Sequence, residues 1–157
     1  MDLQDILLHD ETIFKDVRVF NSDYLPEEFK LRQSQMEEMA FSLRPALHGG
    51  KPSNNILLGP PATGKTTAIK KLFEMAQLDC EDDIICVYVN CQLHSTKFGI
   101  FSQIYKKIFG HNPPETGVPF ARIYNKIMNE LYDTDKALIV ALDDINHLFH
   151  GNIISQI

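Results

Sequence analysis

The apolar positions of this 157-residue chain fall into two kinds of pattern. One kind is the short unbroken run: Ile56-Leu57-Leu58, the segment IICVYV at residues 84–89, and the segment ALIVAL at residues 137–142. The run at residues 84–89, apolar nearly throughout and rich in β-branched residues, suits a strand of a parallel sheet covered on both faces, because neither face is left to carry polar side chains, and the other two runs are expected as strands of the same sheet. The other kind is a spacing of three and four. It links Met36, Met39, Leu43 and Leu47, with Leu31 ahead of them, through residues 27–47, and Ile69, Leu72 and Phe73 through residues 66–76. It returns in Phe98, Phe101, Ile104, Tyr105 and Ile108 through residues 96–109, and in Ile123, Ile127 and Leu131 through residues 120–132. Each stripe predicts a helix that buries one side. Pro45 should loosen the last turn of the first of these helices. Nearer the start, Leu3, Ile6 and Leu7 suit a short amphipathic helix over residues 2–8, and residues 14–20 alternate weakly before the turn residues Asn21-Ser22-Asp23.

Strands and helices that alternate in this way predict an α/β fold, a parallel sheet flanked by helices. The acids Asp79, Glu81, Asp82 and Asp83 separate one helix from the strand that follows, and the segment GHNPPETGVP at residues 110–119 is firmly non-helical. There are no internal repeats and no low-complexity tracts, and the length suits one domain.

Composition narrows the setting. Hydrophobic residues at 44% and charged residues at 23% are ordinary for a globular protein in water. No apolar run is long enough to cross a membrane, and the N-terminal MDLQDILLHDE carries acids where a signal peptide would carry Lys or Arg, so a cytoplasmic location is expected. Cys80, Cys86 and Cys91 lack the C-x-x-C spacing of a zinc site, and Cys86 falls inside an apolar run where a reduced thiol acts as a small hydrophobe. His147 and His150 share a helical face but have no further ligands beside them in sequence. A net charge of -6 disfavours long contacts with nucleic-acid phosphates, so if DNA is a partner most of the basic surface lies elsewhere.

The chemistry begins at NNILLGPPATGKTT, residues 54–67. An apolar run leads into Gly59, four residues follow, and Gly64-Lys65-Thr66 opens a helix, which is the G-x-x-x-x-G-K-S/T pattern in its strand–loop–helix setting. Glycines let the backbone curl so that successive N–H groups point inward, and the helix start adds the positive end of its dipole. Gly59, Pro60, Pro61, Ala62, Thr63, Gly64, Lys65, Thr66 and Thr67 are therefore the expected phosphate-binding set. Lys65 would reach the β- and γ-phosphates of ATP, and the Thr66 hydroxyl would ligate Mg²⁺.

The run at residues 137–142 ends at once in Asp143-Asp144. Acids at strand ends commonly cap helices, but beside a phosphate loop they form the second half of an ATPase site. Asp143 would hold Mg²⁺ through water, and Asp144 would orient or deprotonate the attacking water. A GTPase should carry N-K-x-D for the base. The nearest match, Asn125-Lys126-Ile127-Met128, has Met in place of the acid and sits in a predicted helix, so it is discarded. A small-molecule kinase with a hydroxyl acceptor stays open, although paired acids after an aliphatic strand favour activation of water.

With these residues in place the chain resembles the archaeal replication initiators of origin-recognition and cell-division-control type, a family of AAA+ ATPases. The resemblance rests on Tyr24-Leu25-Pro26 with Arg32 and Gln35, then NNILLGPPATGKTT, VYVNCQ, PPETGVP and ALIVALDDIN, in that order over residues 20–148. It implies a P-loop NTPase fold of AAA+ type, with residues 1–23 as an N-terminal extension and residues 24–157 as a partial ATPase domain, cut after the third core strand. The fourth strand, which carries a polar sensor residue and lies between the phosphate-loop strand and the Asp143 strand, is expected to lie outside this sequence. So are the lid and the winged-helix domain. Exposed strand edges then imply marginal stability or self-association.

For the site, the resemblance implies that Tyr24, Leu25, Pro26 and Arg32 cover the adenine. It implies that Asn90 holds the catalytic acid in an idle pose, although a strand-terminating turn residue is an equal reading of Asn90. Residues 94–120 are similar to the helical insertion that touches DNA, with Lys97, Lys106 and Lys107 as its cations. Many relatives have His where Leu31 stands, and Asp144 is one methylene shorter than the usual Glu. Slow hydrolysis is the consequence expected of that shortening. The implied function is the ATP-binding part of an initiator that binds origin DNA, mainly through other regions, and helps to load the replicative helicase, with ATP/ADP and Mg²⁺ as cofactors. Two alternatives remain at this level: an AAA+ regulator of another DNA-related pathway, and a nucleotide-gated interaction module with little hydrolysis.

Overall fold

In the computed structural model of the protein, the described residues are 25, 32–114 and 117–151, with the backbone alone described for 149–151. The expected helix at residues 2–8, the alternating stretch at 14–20, Tyr24, Pro26, Leu31 and the tail 152–157 lie outside them.

Helix α1 (Gln33–Leu43) begins at Arg32 and gives way at Pro45 to a 3₁₀ turn, Arg44–His48. The ring removes a backbone donor, so the loosening expected from the sequence takes this tighter form. Helix α2 (Lys65–Asp79) follows the phosphate loop, and strand β1 (Ile84–Asn90) follows the acidic turn. Helix α3 (Lys97–Phe109) is capped by Thr96, whose Oγ1 accepts a hydrogen bond from the Gly99 N–H at 3.0 Å. Helix α4 (Phe120–Thr134), strand β2 (Ala137–Asp143) and a second 3₁₀ segment, Ile145–Gly151, complete the order.

The two strands pair in parallel, from Ile84 opposite Ala137 to Asn90 opposite Asp143. Period-two alternation then sorts their side chains into two layers. Ile84 and Cys86 of β1 and Ile139 of β2 join Phe73 of α2 in one cluster. Val87 and Val89 point to the other face, where Ile100, Ile104 and Tyr105 of α3 and Ile123 and Ile127 of α4 cover them. The phosphate-loop helix and the α3–α4 pair therefore lie on opposite faces of the sheet. The polar ends of both strands, Asn90 and Asp143, fall on the α2 side.

One expectation is corrected. Residues 51–60 contain no strand, so the expected third strand at Ile56-Leu57-Leu58 is absent from the sheet. The segment is extended, as its alternation shows: Leu57 packs against the cluster of Met39, Ala68 and Leu72, whereas Ile56 and Leu58 are 76% and 87% exposed. A strand exists through its ladder, and among the described residues no backbone hydrogen bond reaches Ile56, Leu57 or Leu58, although just before them the Ser53 N–H donates to the Ser42 carbonyl of α1 at 3.2 Å. The apolar run thus has one face covered instead of two.

Burial raises the Cys86 thiol from its ordinary 9.0 to about 11, with Lys107 pulling weakly the other way. Between pH 9.0 and about 11 the unfolded chain has released this proton and the folded one has not, so stability falls as pH rises through that window. Cys91, raised first by burial and then by Asp143 and Asp144, adds with the same sign. Denaturant unfolding across that range should show a loss on the order of 1–2 kcal/mol, reduced in Cys86→Ala. A flat pH response in the parent would contradict the burial argument.

Candidate functional site

The phosphate loop turns through left-handed residues at Ala62 (φ 58°) and Gly64 (φ 81°). Glycine accepts that conformation freely, whereas Ala62 is held there at some cost. Gly64 is also the residue from which α2 starts, and the helix has no side-chain cap. Its first-turn N–H groups therefore face the loop as donors for an anion. Lys65 Nζ donates to the carbonyls of Gly59 at 2.9 Å and Pro60 at 2.8 Å, which holds the ammonium against the start of the loop. Thr63 Oγ1 donates to the same Pro60 oxygen at 2.9 Å. Two side chains thus strap the loop around the charge that phosphates would meet.

Thr66, in the first turn of α2, reaches the sheet. Its Oγ1 donates to Asp143 Oδ2 at 2.7 Å, joining the phosphate loop to the end of β2 across 77 residues of sequence. Tyr88 Oη donates to the same oxygen at 2.7 Å. The other carboxylate oxygen, Oδ1, accepts the Asp144 N–H at 3.0 Å. Burial first, and then the Asp143 carboxylate, pushes the Tyr88 phenol well above its ordinary range, so it stays a donor.

An oxygen-only pair, the Thr66 hydroxyl and the Asp143 carboxylate, fits Mg²⁺, which prefers one or two protein oxygens completed by water and substrate phosphates to an all-protein cage. Among the described residues no group of three or more His, Cys, Asp or Glu is placed to hold a metal by itself. Asp143 and Thr66 are the residues that would hold the ion. There it would neutralise charge on the β- and γ-phosphates of a bound nucleotide.

Other expected residues are placed differently. Asp144 is exposed, in a left-handed conformation (φ 53°), with its carbonyl accepting the His147 N–H at 3.1 Å. Asn90 stands opposite Asp143, and its Oδ1 accepts the N–H groups of Gln92 at 2.8 Å and Leu93 at 3.3 Å. That is the turn-forming role of an asparagine at a strand end. Leu25 lines a cleft of about 1170 Å³ along β1 together with Phe73 and Ile84, and no residue of the phosphate loop lines that cleft. Arg32 opens α1. The Asn125-Lys126 pair lies within α4, where Lys126 Nζ donates to Tyr105 Oη at 2.7 Å, in keeping with its rejection as a base-recognition element. Tyr88 is the residue missed in the sequence. Its signal was an aromatic hydroxyl in an otherwise aliphatic run, two positions before Asn90 and so on the same face.

No family model matches the chain. Over 150 residues, 96% of its length, it is 61% identical to an ORC1-type DNA replication protein 2 of Methanothermobacter thermautotrophicus. The chain belongs, over the portion it spans, with the archaeal ORC1-type replication proteins. It covers 39% of that relative, and 38% of an ORC1-type protein of Methanosarcina acetivorans to which it is 47% identical, so it spans about two-fifths of their length. Solved structures agree with this ORC1-type assignment. The Aeropyrum pernix ORC2 protein, in ADPNP–ADP complexes, matches with a TM-score of 0.69 and 28% identity, covering 88% of this chain and 37% of that one. The Aeropyrum pernix ORC1 protein in complex with DNA matches at 0.68 and 29%, covering 85% and 36%. The AAA+ P-loop architecture, with its parallel sheet between helices, is thus that of the ORC-type proteins.

Proposed function

We propose that this ORC1-type chain is the ATP-binding portion of a cytoplasmic replication initiator that engages origin DNA and helps to load the replicative helicase. The observation that carries the reading is the 2.7 Å contact between Thr66 and Asp143, which unites a phosphate loop and a metal-side acid from distant parts of the chain. Lys65 and the α2 N-terminus bind and orient the phosphates, and Asp143 and Thr66 hold Mg²⁺. The 28%-identical ORC2 structure with bound nucleotides supports the nucleotide, and the ORC1 structure with DNA supports the nucleic-acid partner. Self-association through the open sheet edges, and the adenine-covering role of Tyr24, Pro26 and Arg32, belong to the same proposal, whereas Leu25 lies in the cleft along β1 that no phosphate-loop residue lines. On the DNA side, α3 presents Lys106 and Lys107 exposed at its C-terminal turn, while Lys97 lies over the Phe120 ring at 4.7 Å.

Asp144 favours a second reading, a nucleotide-gated module with little turnover. A side chain one methylene short of glutamate places its carboxylate roughly one bond length back from the attacking water, enough to lose a good hydrogen bond. Titration calorimetry of the chain with ATP and MgCl₂ tests the first reading, and absence of binding would end it. For the second, Asp144→Glu should raise steady-state phosphate release about tenfold or more, within the usual contribution of general-base catalysis. A parent turnover matching that of motor ATPases, or a Glu variant no faster than the parent, would remove the argument from side-chain length.

A further inference from the structure

The nucleotide site contains one hydroxyl that phosphate-loop chemistry does not call for. Thr66 and Asp143 are the residues that would hold the metal, but Tyr88 comes from the middle of β1 and nevertheless bonds the same carboxylate oxygen as Thr66. Its position follows from the register. Tyr88 pairs with Ala141, one full pleat before Asn90 pairs with Asp143. The side chains of Tyr88 and Asp143 share a face of the sheet and are diagonal neighbours. The methyl group of Ala141 leaves the ring room to lean along the strand toward the acid.

The ring is held on several sides. It packs against the cluster formed by Phe73, Cys86 and Ile139, and Lys70 Nζ of α2 lies 5.1 Å from its centroid. Lys70 is one helical turn beyond Thr66, so one face of α2 supplies both the hydroxyl on Asp143 and the cation over the ring. The phenol oxygen is therefore presented by a fixed ring, whereas Thr66 would share its oxygen between Asp143 and a bound metal ion.

We propose that Tyr88 is a positioning residue for the metal-side carboxylate, fixing Asp143 in the orientation that a nucleotide-bound Mg²⁺ requires. The inference rests on the nucleotide reading of the site. With Tyr88 and Thr66 on Oδ2 and the Asp144 N–H on Oδ1, both carboxylate oxygens are pinned. Removing the phenol O–H has two opposed effects. It leaves more negative charge on Oδ2, which favours a cation, and it frees the carboxylate to rotate. For Mg²⁺, whose coordination is nearly rigidly octahedral, the loss of orientation dominates. Loss of a group that orients a metal-side residue typically weakens metal affinity about 10- to 100-fold.

The test is ATP affinity of the 157-residue chain, measured over a MgCl₂ series and in EDTA, for the parent, Tyr88→Phe and Lys65→Ala. Phenylalanine keeps the ring, its packing and the contact with Lys70, and removes the phenol oxygen, which donates to Asp143 and accepts from the Asn90 side chain. Tyr88→Phe is expected to raise the half-saturating MgCl₂ concentration about tenfold or more and to leave ATP affinity in EDTA at the parent value. An unchanged MgCl₂ response overturns the proposal. So does an equal loss of affinity with and without Mg²⁺, or loss of the folded state by circular dichroism, since either makes the phenol a structural group. If Lys65→Ala loses ATP while Tyr88→Phe keeps the parent MgCl₂ curve, the positioning role alone falls. If the parent binds no ATP, or Lys65→Ala binds it as the parent does, the nucleotide reading fails and the role of Tyr88 with it.

Discussion

Lys65→Ala should weaken ATP binding by about two orders of magnitude or more. The ammonium group is the full positive charge of the phosphate loop, held at 2.9 Å and 2.8 Å from the Gly59 and Pro60 carbonyls. Facing the β- and γ-phosphates of a bound nucleotide it would make charge-assisted bonds, which are roughly twice as strong as neutral ones. Truncating one side of a hydrogen-bonded charge pair costs about 2–5 kcal/mol, and each 1.4 kcal/mol is about tenfold in affinity. The substitution also removes the strap between the loop and its own backbone, so the loop must be ordered by the ligand instead. Lys65→Arg keeps the charge but replaces a compact point donor by a planar fork, and is expected to restore little. Calorimetry on the three proteins decides the matter, and tight ATP binding by Lys65→Ala would count against the whole assignment.

Ile127→Ala should destabilise the fold by about 2–5 kcal/mol, the range for shortening a fully buried aliphatic side chain without collapse of the cavity. Ile127 is 1% exposed on the inward stripe of α4, packed with Val87 and Val89 of β1 and with Ile100 and Ile104 of α3. Total stabilities of domains are only about 5–15 kcal/mol, so the loss is a large fraction of the whole. For a chain of this size a melting temperature lower by roughly 5–20 °C follows. Met128, the next residue, is 44% exposed, and Met128→Ala should change stability by less than about 0.5 kcal/mol. Because α4 covers the face of the sheet opposite α2, the folded fraction of Ile127→Ala should bind ATP as the parent does. A melting temperature equal to that of the parent would mean that α4 does not seal the core.

The helices were legible because their signal is local. The stripe over residues 96–109 became α3, Lys97–Phe109, and the stripe over residues 120–132 became α4, Phe120–Thr134. Their ends moved by a residue or two, since Thr96 serves as a cap and Asp135 (φ 53°) closes α4. The run at Ile56-Leu57-Leu58 misled for the complementary reason. Its composition suits a covered strand, but strand formation depends on a partner backbone, and a sequence window contains none. Asn90 shows the same limit at one residue. Its place at a strand end was readable, but whether its amide serves a neighbouring acid or its own turn depends on where the chain goes at Gln92 and Leu93.

By itself the sequence determined the phosphate loop, the acids at the end of the aliphatic strand, the order of the helices and the family resemblance. All of these are written in residues adjacent or a few positions apart, where the covalent chain sets the geometry. Tertiary structure alone decided that β1 lies directly beside β2, that α2 occupies the face where Asp143 points, and that Thr66 and Tyr88 meet on one carboxylate oxygen. Those two contacts span 77 and 55 residues. Contacts at such separation are set by strand register and by which side of the pleat each side chain takes, and a register shifted by one residue would turn the acid away from the loop.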